Sequence, residues 1–486
     1  MFQRLQFAIV WMISGGCMLQ GLQGMAADDP GLIRAGAHAQ EITPPRFPIS
    51  VNGGMADHFA TAAHDPLYAR CIAIRNAKTS IAIVVCDSCM IPREAMDRAK
   101  SLASTKTGIP TSRILISATH AHSCPTSAAV FQSDPDREYV EFLIEQIAMG
   151  VERAHNQAEP ARIGWGSVEQ PSLLFNRRWF VQSDTNPIEM MENPFGMKSD
   201  RIITNPGFNN PKVASSINQI DPELSFLSIQ ARDGRPIALL ANYSLHYIGG
   251  VPGDLVSADY FGEFCQRVTR QLKAGDVTPP FVAALSNGTS GDVNNVDFRL
   301  KNAPQRQPFE QIAYAAELLA QDIAKAYPQI EYQATPPLKI REEEIVVGIR
   351  KPNAAELAAA EEKLAANTVR PLQGLPLIYA RETTLLAAYP DSVSIKLQAI
   401  RIGSLGIVTC PCETFTETGL AIKKSSPLKQ TFTISLANGY NGYLPPPEQH
   451  LLGGYETWRA RSSYLAPDAE PKIQTTIKRL LNEVSR

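Results

Sequence analysis

Two histidines stand one residue apart, at His120 and His122, in a chain with eight histidines among 486 residues. A third, His246, follows the apolar run ALLANYSL, and Glu413 follows GIVTCPC. Two imidazoles and a carboxylate make a catalytic zinc set that leaves a position for water or substrate. A tyrosine, from the cluster Tyr440, Tyr443 and Tyr455, can add a further oxygen ligand. Such a metal lowers the pKa of its water toward 7 and polarises a carbonyl. A second histidine beside the first ligand can steady an oxyanion or protonate a leaving group. The H-x-H spacing alone lacks the specificity of H-E-x-x-H, so each residue also has a plainer reading. His246 can be a core histidine, Glu413 a carboxylate at a helix start, and the tyrosines half-buried aromatics. Arg177 and Arg178 can be a solvated basic pair, and Asp292 an Asx-turn in a Gly/Asn loop. Asp259 can cap a helix at 260 or orient His246. His38, His58, His64, His155 and His450 read as structural or surface residues.

These groups lie far apart in sequence, so the elements carrying them must bring them together. Short apolar, β-branched runs recur at 80–86, 113–118, 236–244 and 280–286, and a longer one at 396–410 breaks at Gly403 into a hairpin. Helical periodicity covers 136–157, with Asp136 as N-cap, and also 259–273, 308–326, 353–366 and 470–484. Strands alternating with helices predict an α/β (mixed α+β) fold, with central mixed sheets flanked by helices. In such sheets ligand sites gather outside the carboxyl ends of strands, and four of these runs end in the polar clusters above. The stretch 181–222 is the longest irregular one. With no internal repeat and no evident linker, residues 27–486 read as a single domain.

Composition narrows the function classes. A net charge of −2 without a Lys/Arg block carries no electrostatic footprint for nucleic acid. Residues 1–26 read as an export signal, with Arg4, a short apolar core and small residues before an acidic start; Cys17 is the lipoprotein-type alternative. No later segment is apolar long enough to span a bilayer, so the mature chain is expected to be exported, periplasmic, secreted or surface-held. Seven cysteines then remain, an odd and scattered set that reads as buried thiols rather than a disulfide framework; a Cys86–Cys89 bond stays open. The N-x-S/T patterns at Asn242 and Asn287 sit at strand ends, where glycans are not expected.

The motifs AGAHAQEITPP, HDPLYARCIAI, SIAIVVCDSCM, ILISATHAHS, FNRR, NYSLHY…SADYFG, SNGTSGDVNN, RIGSLGIVTCPCETF and LANGYNGYL…GGYE occur in this order across nearly all of the chain after residue 35. In this the chain resembles the catalytic domain of the neutral (non-lysosomal) ceramidase family, zinc-dependent enzymes that hydrolyse the amide of N-acyl-sphingosine. The resemblance implies Zn2+ held by His120, His246, Glu413 and Tyr443. It implies that His122 stabilises the transition state or shuttles a proton, and that Arg177 and Tyr455 face substrate oxygen. It implies an exported amidohydrolase acting by metal-activated water on a small-molecule or lipid N-acyl substrate. An esterase or lactonase with the same ligands, or a surface binding protein that keeps the fold, are the alternatives.

Departures from the family pattern are specific. Its hexapeptide Gly-Asp-Val-Ser-Pro-Asn stands here as Gly291-Asp292-Val293-Asn294-Asn295-Val296, so Asn294 replaces the serine commonly called the nucleophile. Asn294 can still orient substrate through its amide, and Thr289 or Ser290 are the substitute hydroxyls. The His-Ser-Gly-Pro-Gly-Gly loop is HSCPTS here. The chain ends about thirty residues after Tyr455, so the family's C-terminal immunoglobulin-like domain is not expected here.

Overall fold

Eight strands make the larger sheet: β1 (Arg34–Glu41), β2 (Tyr68–Arg75), β3 (Ser80–Cys86), β4 (Ile114–Ala118), β5 (Glu159–Glu169), β6 (Glu223–Ala231), β7 (Pro236–Tyr243) and β8 (Val282–Asn287). Their order is β8-β7-β6-β5-β1-β2-β3-β4. A second sheet of four strands holds β9 (Leu338–Gly348), β10 (Ser392–Ile402), β11 (Leu405–Thr409) and β12 (Gln430–Ile434), in that order. The structure, a computed structural model, describes residues 31–182, 193–197 and 199–486. The expected signal over 1–26, with Cys17, lies outside the described residues, as does part of the 181–222 stretch.

The two sheets face each other. Ile81, Ile83 and Val85 of β3 share a buried cluster with Ile400 of β10, Ile407 of β11 and Phe432 of β12. The alternate residues Ala82, Val84 and Cys86 enter a second cluster on the other face, in which most of the helical residues come from four helices. These are α1 (Arg93–Thr107), α2 (Arg137–Asn156), α3 (Asp259–Gln271) and α4 (Glu310–Ala326). Side chains that point alternately to two buried faces explain why SIAIVVC is apolar throughout rather than alternating. Beyond the smaller sheet lie α7 (Thr416–Ser425) and α9 (Ala469–Ser485), which bury Ile422, Ile473 and Ile477 against Leu397 and Val408. The layers therefore run helix, sheet, sheet, helix, and the mixed α/β expectation holds. Helix α5 (Ala354–Ala365) pairs with α6 (Leu375–Ala387), and α8 is a single short helix (Pro447–Leu452).

Local chemistry sets the element ends. Asp136 caps α2, its Oδ1 accepting from the backbone N–H groups of Glu138 and Tyr139, and Asn353 and Glu356 form a reciprocal capping box on α5. Gly403 turns β10 into β11 with φ +62, and a Cβ there would lie 2.1 Å from the Trp165 ring. Only glycine meets both demands. The sequence pattern overlooks β1, β2, β5, β6, β9 and β12 as strands and α1 and α6 as helices. Within 181–222, short strands Ile202–Thr204 and Val213–Ser216 flank Arg178–Val181 in a small sheet.

Within these two sheets most pairings are antiparallel, but three are parallel: β3 with β4, β7 with β8, and β11 with β12. Each parallel pair delivers two chain segments past the same sheet end, and that end is where the polar clusters collect.

Candidate metal centre

His120 lies two residues beyond β4, His246 three beyond β7, and Glu413 four beyond β11. His120 adopts φ +74, a left-handed conformation unusual for a side-chain-bearing residue. Its N–H donates to the Ser88 carbonyl at 2.9 Å, and the preceding Thr119 N–H donates to that of Cys86. Strain of this kind, about 1–3 kcal/mol, persists where the surroundings over-determine it and clusters at functional sites.

The side chains converge. His120 Nε2 lies 3.0 Å from His246 Nε2 and 3.1 Å from Glu413 Oε2, and His246 Nε2 lies 3.7 Å from the same oxygen. All three residues are at most 4% exposed. Each imidazole spends its other nitrogen on a carbonyl: His120 Nδ1 donates to Cys89 O at 2.8 Å, and His246 Nδ1 to Ser290 O at 2.9 Å. With both rings neutral, as metal ligation requires, both Nε2 atoms are acceptors, and they face each other and a carboxylate oxygen. Glu413 Oε2 is buried and receives no hydrogen bond. Three acceptor atoms aimed at one point repel unless a positive charge sits between them. The donor set of two nitrogens and one oxygen fits a zinc-like divalent cation, with carbonyls orienting the imidazoles as ligating histidines require.

The electrostatics of the pocket point the same way. Burial opposes charge on His120, but the Glu413 carboxylate and Cys89 together outweigh it and hold the imidazole well above its usual range. Burial, then the positive charges of His120 and Arg177, push His246 and His122 well below theirs. The pocket thus favours one positive charge among three rings. A proton on His120 serves poorly, because its 3.1 Å contact with Glu413 Oε2 is not aligned as a hydrogen bond.

His122 closes the cluster, with Nε2 3.1 Å from that of His120. Its ring stacks on Tyr247 at 3.7 Å, and a Cβ at Gly53 would lie 2.5 Å from its Cγ, so it is held between a phenol and bare backbone. Tyr443 is carried beside Glu413 by a short parallel pairing of Glu413–Thr414 with Tyr443–Leu444. Its hydroxyl accepts from Arg177 Nη2 at 3.0 Å. The phenol that donates to Glu413 is Tyr440, at 3.0 Å from Oε1, which leaves Oε2 to the imidazoles. The Tyr455 ring meets that of Tyr443 edge-on at 5.6 Å. His120, His122, His246, Glu413, Tyr443, Arg177 and Tyr455 are thus linked through direct contacts.

Asn294 stands apart from that set. Its Nδ2 donates to Asn205 Oδ1 at 2.7 Å, and its Oδ1 accepts from the Val296 N–H. Of the two substitute hydroxyls, Ser290 Oγ donates to Asn287 Oδ1 at 2.7 Å and sits 3.5 Å from His246 Nδ1. Thr289 is buried against Gly419 of α7 instead.

Several residues emerge that sequence reasoning passed over or read as bland. Arg177 and Arg178 are no solvated pair, being 5% and 0% exposed. Glu456, fully buried, bridges them, accepting from Arg177 Nε at 3.0 Å and Arg178 Nη1 at 2.6 Å. Asp292 is a hub rather than an isolated Asx-turn. It accepts from Asn176 Nδ2 and from both the N–H and hydroxyl of Thr416, tying the segment before Arg177 to the start of α7. Gly291 beside it has no room for a Cβ, which would meet Glu413 O at 2.5 Å. Asp259 does not orient His246; its carboxylate accepts from the N–H groups of Ile248, Gly249 and Tyr260. His64 stacks on Phe309, and the seven cysteines of the described residues are free and buried. Among the described residues no helix is long and apolar enough to cross a membrane.

No protein-family model matches the chain, and no curated protein matches it. Its fold is that of neutral ceramidase from Pseudomonas aeruginosa, with a TM-score of 0.68 and 19% identity over 93% of this chain and 74% of that one. A ceramidase complexed with C2 gives a TM-score of 0.69 at 18% identity, covering 93% of this chain and 75% of that one.

Proposed function

We propose that this chain, built on the neutral ceramidase fold, is a zinc-dependent amidohydrolase that cleaves the amide of an N-acyl substrate. The reading takes residues 27–486 as one catalytic domain, exported by the signal at 1–26. The observation that carries it is the convergence of His120 Nε2, His246 Nε2 and Glu413 Oε2 within 3.0–3.7 Å, with both imidazoles committed through Nδ1 to carbonyls. His120, His246 and Glu413 would hold the cation, with Tyr443 as the fourth ligand. When bound, zinc supplies Lewis acidity toward the acyl carbonyl and lowers the pKa of water toward 7.

The remaining steps belong to the chain. Arg177, charged and buried, offers guanidinium hydrogens beside the Tyr443 hydroxyl, where negative charge develops on the acyl oxygen. Tyr455 provides a second donor on that side. His122, kept neutral by burial, accepts a proton as water adds to the acyl carbon. It returns that proton to the leaving nitrogen as the C–N bond breaks, which yields a carboxylic acid and an amine. Asn294, bonded to Asn205, is proposed to orient substrate rather than attack it.

The test is zinc content and hydrolysis of paired amides and esters of equal acyl length, ceramide among them. Cleavage of amides that is lost with His120→Ala or Glu413→Ala, together with the metal, supports the reading. Ester cleavage alone supports the esterase or lactonase alternative. Full zinc occupancy in both variants contradicts the ligand set.

A further inference from the structure

Arg177 divides its guanidinium hydrogens between the candidate centre and the protein interior. At the centre, Nη2 meets the Tyr443 hydroxyl at 3.0 Å and also donates to Gly291 O at 2.8 Å. Toward the interior, Nε donates to Glu456 Oε1 at 3.0 Å. A guanidinium is a planar fork, so fixing Nε fixes where both terminal nitrogens point. Glu456 is itself pinned: Oε2 accepts from Arg178 Nη1 at 2.6 Å and from Thr204 Oγ1 at 2.7 Å. Arg178 is anchored in turn by Gln449 Oε1 and Gly453 O. The chain of contacts runs from the buried interior to one side chain at the site.

Two facts separate this carboxylate from ordinary interior pairing. Arg178 alone would neutralise Glu456, yet Glu456 also takes the Nε of Arg177. It also follows Tyr455 directly, on the turn Tyr455–Thr457, so that turn carries one oxygen-facing residue and steers the other. Burial disfavours its charge, but Arg178 and then Arg177 hold the carboxyl below its usual range, so it is ionised at neutral pH.

We infer that Glu456 is a positioning residue for the hydrolysis proposed above: it aims the Arg177 guanidinium at the acyl oxygen and couples that aim to the Tyr455 turn. The inference rests on that functional reading, and its test has a readout independent of turnover. In Glu456→Gln, zinc content is unchanged and kcat on an N-acyl amide falls about 10- to 100-fold with KM within about twofold, the range for loss of an orienting partner. In an Arg177→Ala background the same substitution costs less than about twofold, because the two act as a unit. Nitrogen-15 NMR of the arginine Nε–H groups gives the second readout. The Arg177 Nε–H exchanges slowly with solvent in the wild type and at least about ten times faster in Glu456→Gln once its bond is lost. If Glu456→Gln does not fold, Thr204→Val removes one pin and leaves every charge, and a smaller change in the same direction is expected.

Unchanged kcat together with unchanged Arg177 exchange would overturn the inference, as would equal losses in both backgrounds. If the wild type cleaves no N-acyl substrate, the functional reading fails, and the exchange measurement still decides whether Glu456 holds Arg177.

Discussion

Two buried polar clusters meet at Arg177, and they are built on opposite principles. In the arginine cluster every charge has its partners. Glu456 accepts from Arg177, Arg178 and Thr204, and Arg178 donates to Glu456, Gln449 and Gly453. In the histidine cluster acceptors outnumber donors. Two Nε2 atoms face Glu413 Oε2, which receives no hydrogen bond. Buried polar groups are satisfied as a rule, and each exception needs an explanation. A saturated cluster is complete as it stands, whereas an acceptor-rich one is shaped around a cation. Among the described residues Arg177 joins the two, with contacts to Glu456 on one side and to Tyr443 on the other.

The largest effect that sharpens this contrast is on activity. Glu413→Gln keeps the shape of the acceptor cluster and removes its charge. Loss of metal-derived stabilisation of several kcal/mol should lower turnover by about a thousandfold or more. Added zinc should raise the wild-type melting temperature, by an amount equivalent to about 2.7 kcal/mol at a hundred times Kd, and this gain should be absent in the variant. A zinc-dependent melting shift of full size in Glu413→Gln would erase the distinction between the clusters.

The next effect falls on stability. Glu456→Ala strands two buried guanidiniums, and breaking a buried pair costs about 3–5 kcal/mol. Chemical denaturation should report that loss while the remaining folded protein still takes up zinc. The two clusters therefore fail differently, one by losing the metal and the other by losing the fold.

Lys100 on α1 is a third case, a buried cation without a hydrogen-bond partner. It is 1% exposed, and its nearest carboxylate oxygen, Glu342 Oε2 at 4.0 Å, already accepts from Gln398. Burial pushes its amine down to about 8. The folded value lies below the unfolded one, so the penalty is complete below pH 8 and fades as pH rises toward 10.5. Lys100→Met should therefore stabilise the protein by about 2–3 kcal/mol at pH 7 and by little at pH 10. Equal gains at both pH values would show that the amine carries no such penalty.

The smallest expected effect concerns Tyr440, whose hydroxyl occupies Glu413 Oε1 and leaves Oε2 to the imidazoles. Tyr440→Phe should weaken zinc binding about tenfold, near 1.4 kcal/mol, at the low end for an orienting partner. An unchanged zinc Kd would mean that the pairing of Glu413–Thr414 with Tyr443–Leu444 suffices to direct the carboxylate.

How much of this was legible in the sequence depended on the kind of signal. The runs at 80–86, 236–244 and 280–286 are uniformly apolar because both faces are covered, and they read as strands. Strand β1, RAGAHAQE, escaped notice because it buries alanines and a glycine rather than large branched residues. Helix α1 escaped because its buried face is largely alanine. The histidines and Glu413 stood out because polar residues directly after apolar runs have few structural uses. Glu456 did not stand out, and Tyr440 and Asp292 were noted without their roles, because those roles depend on partners up to 279 residues away, brought close only by the folded chain. Arg177 and Arg178 read as solvated because burial of an arginine pair depends on a carboxylate that sequence adjacency does not reveal.

Crystals of the zinc-loaded protein measured on both sides of the zinc absorption edge test the central claim most directly. The account predicts a single strong anomalous peak bonded to His120 Nε2, His246 Nε2 and Glu413 Oε2, at about 2.0–2.2 Å from each. A zinc-saturated crystal with no peak between these three atoms, or with its zinc bound by other residues, would contradict it.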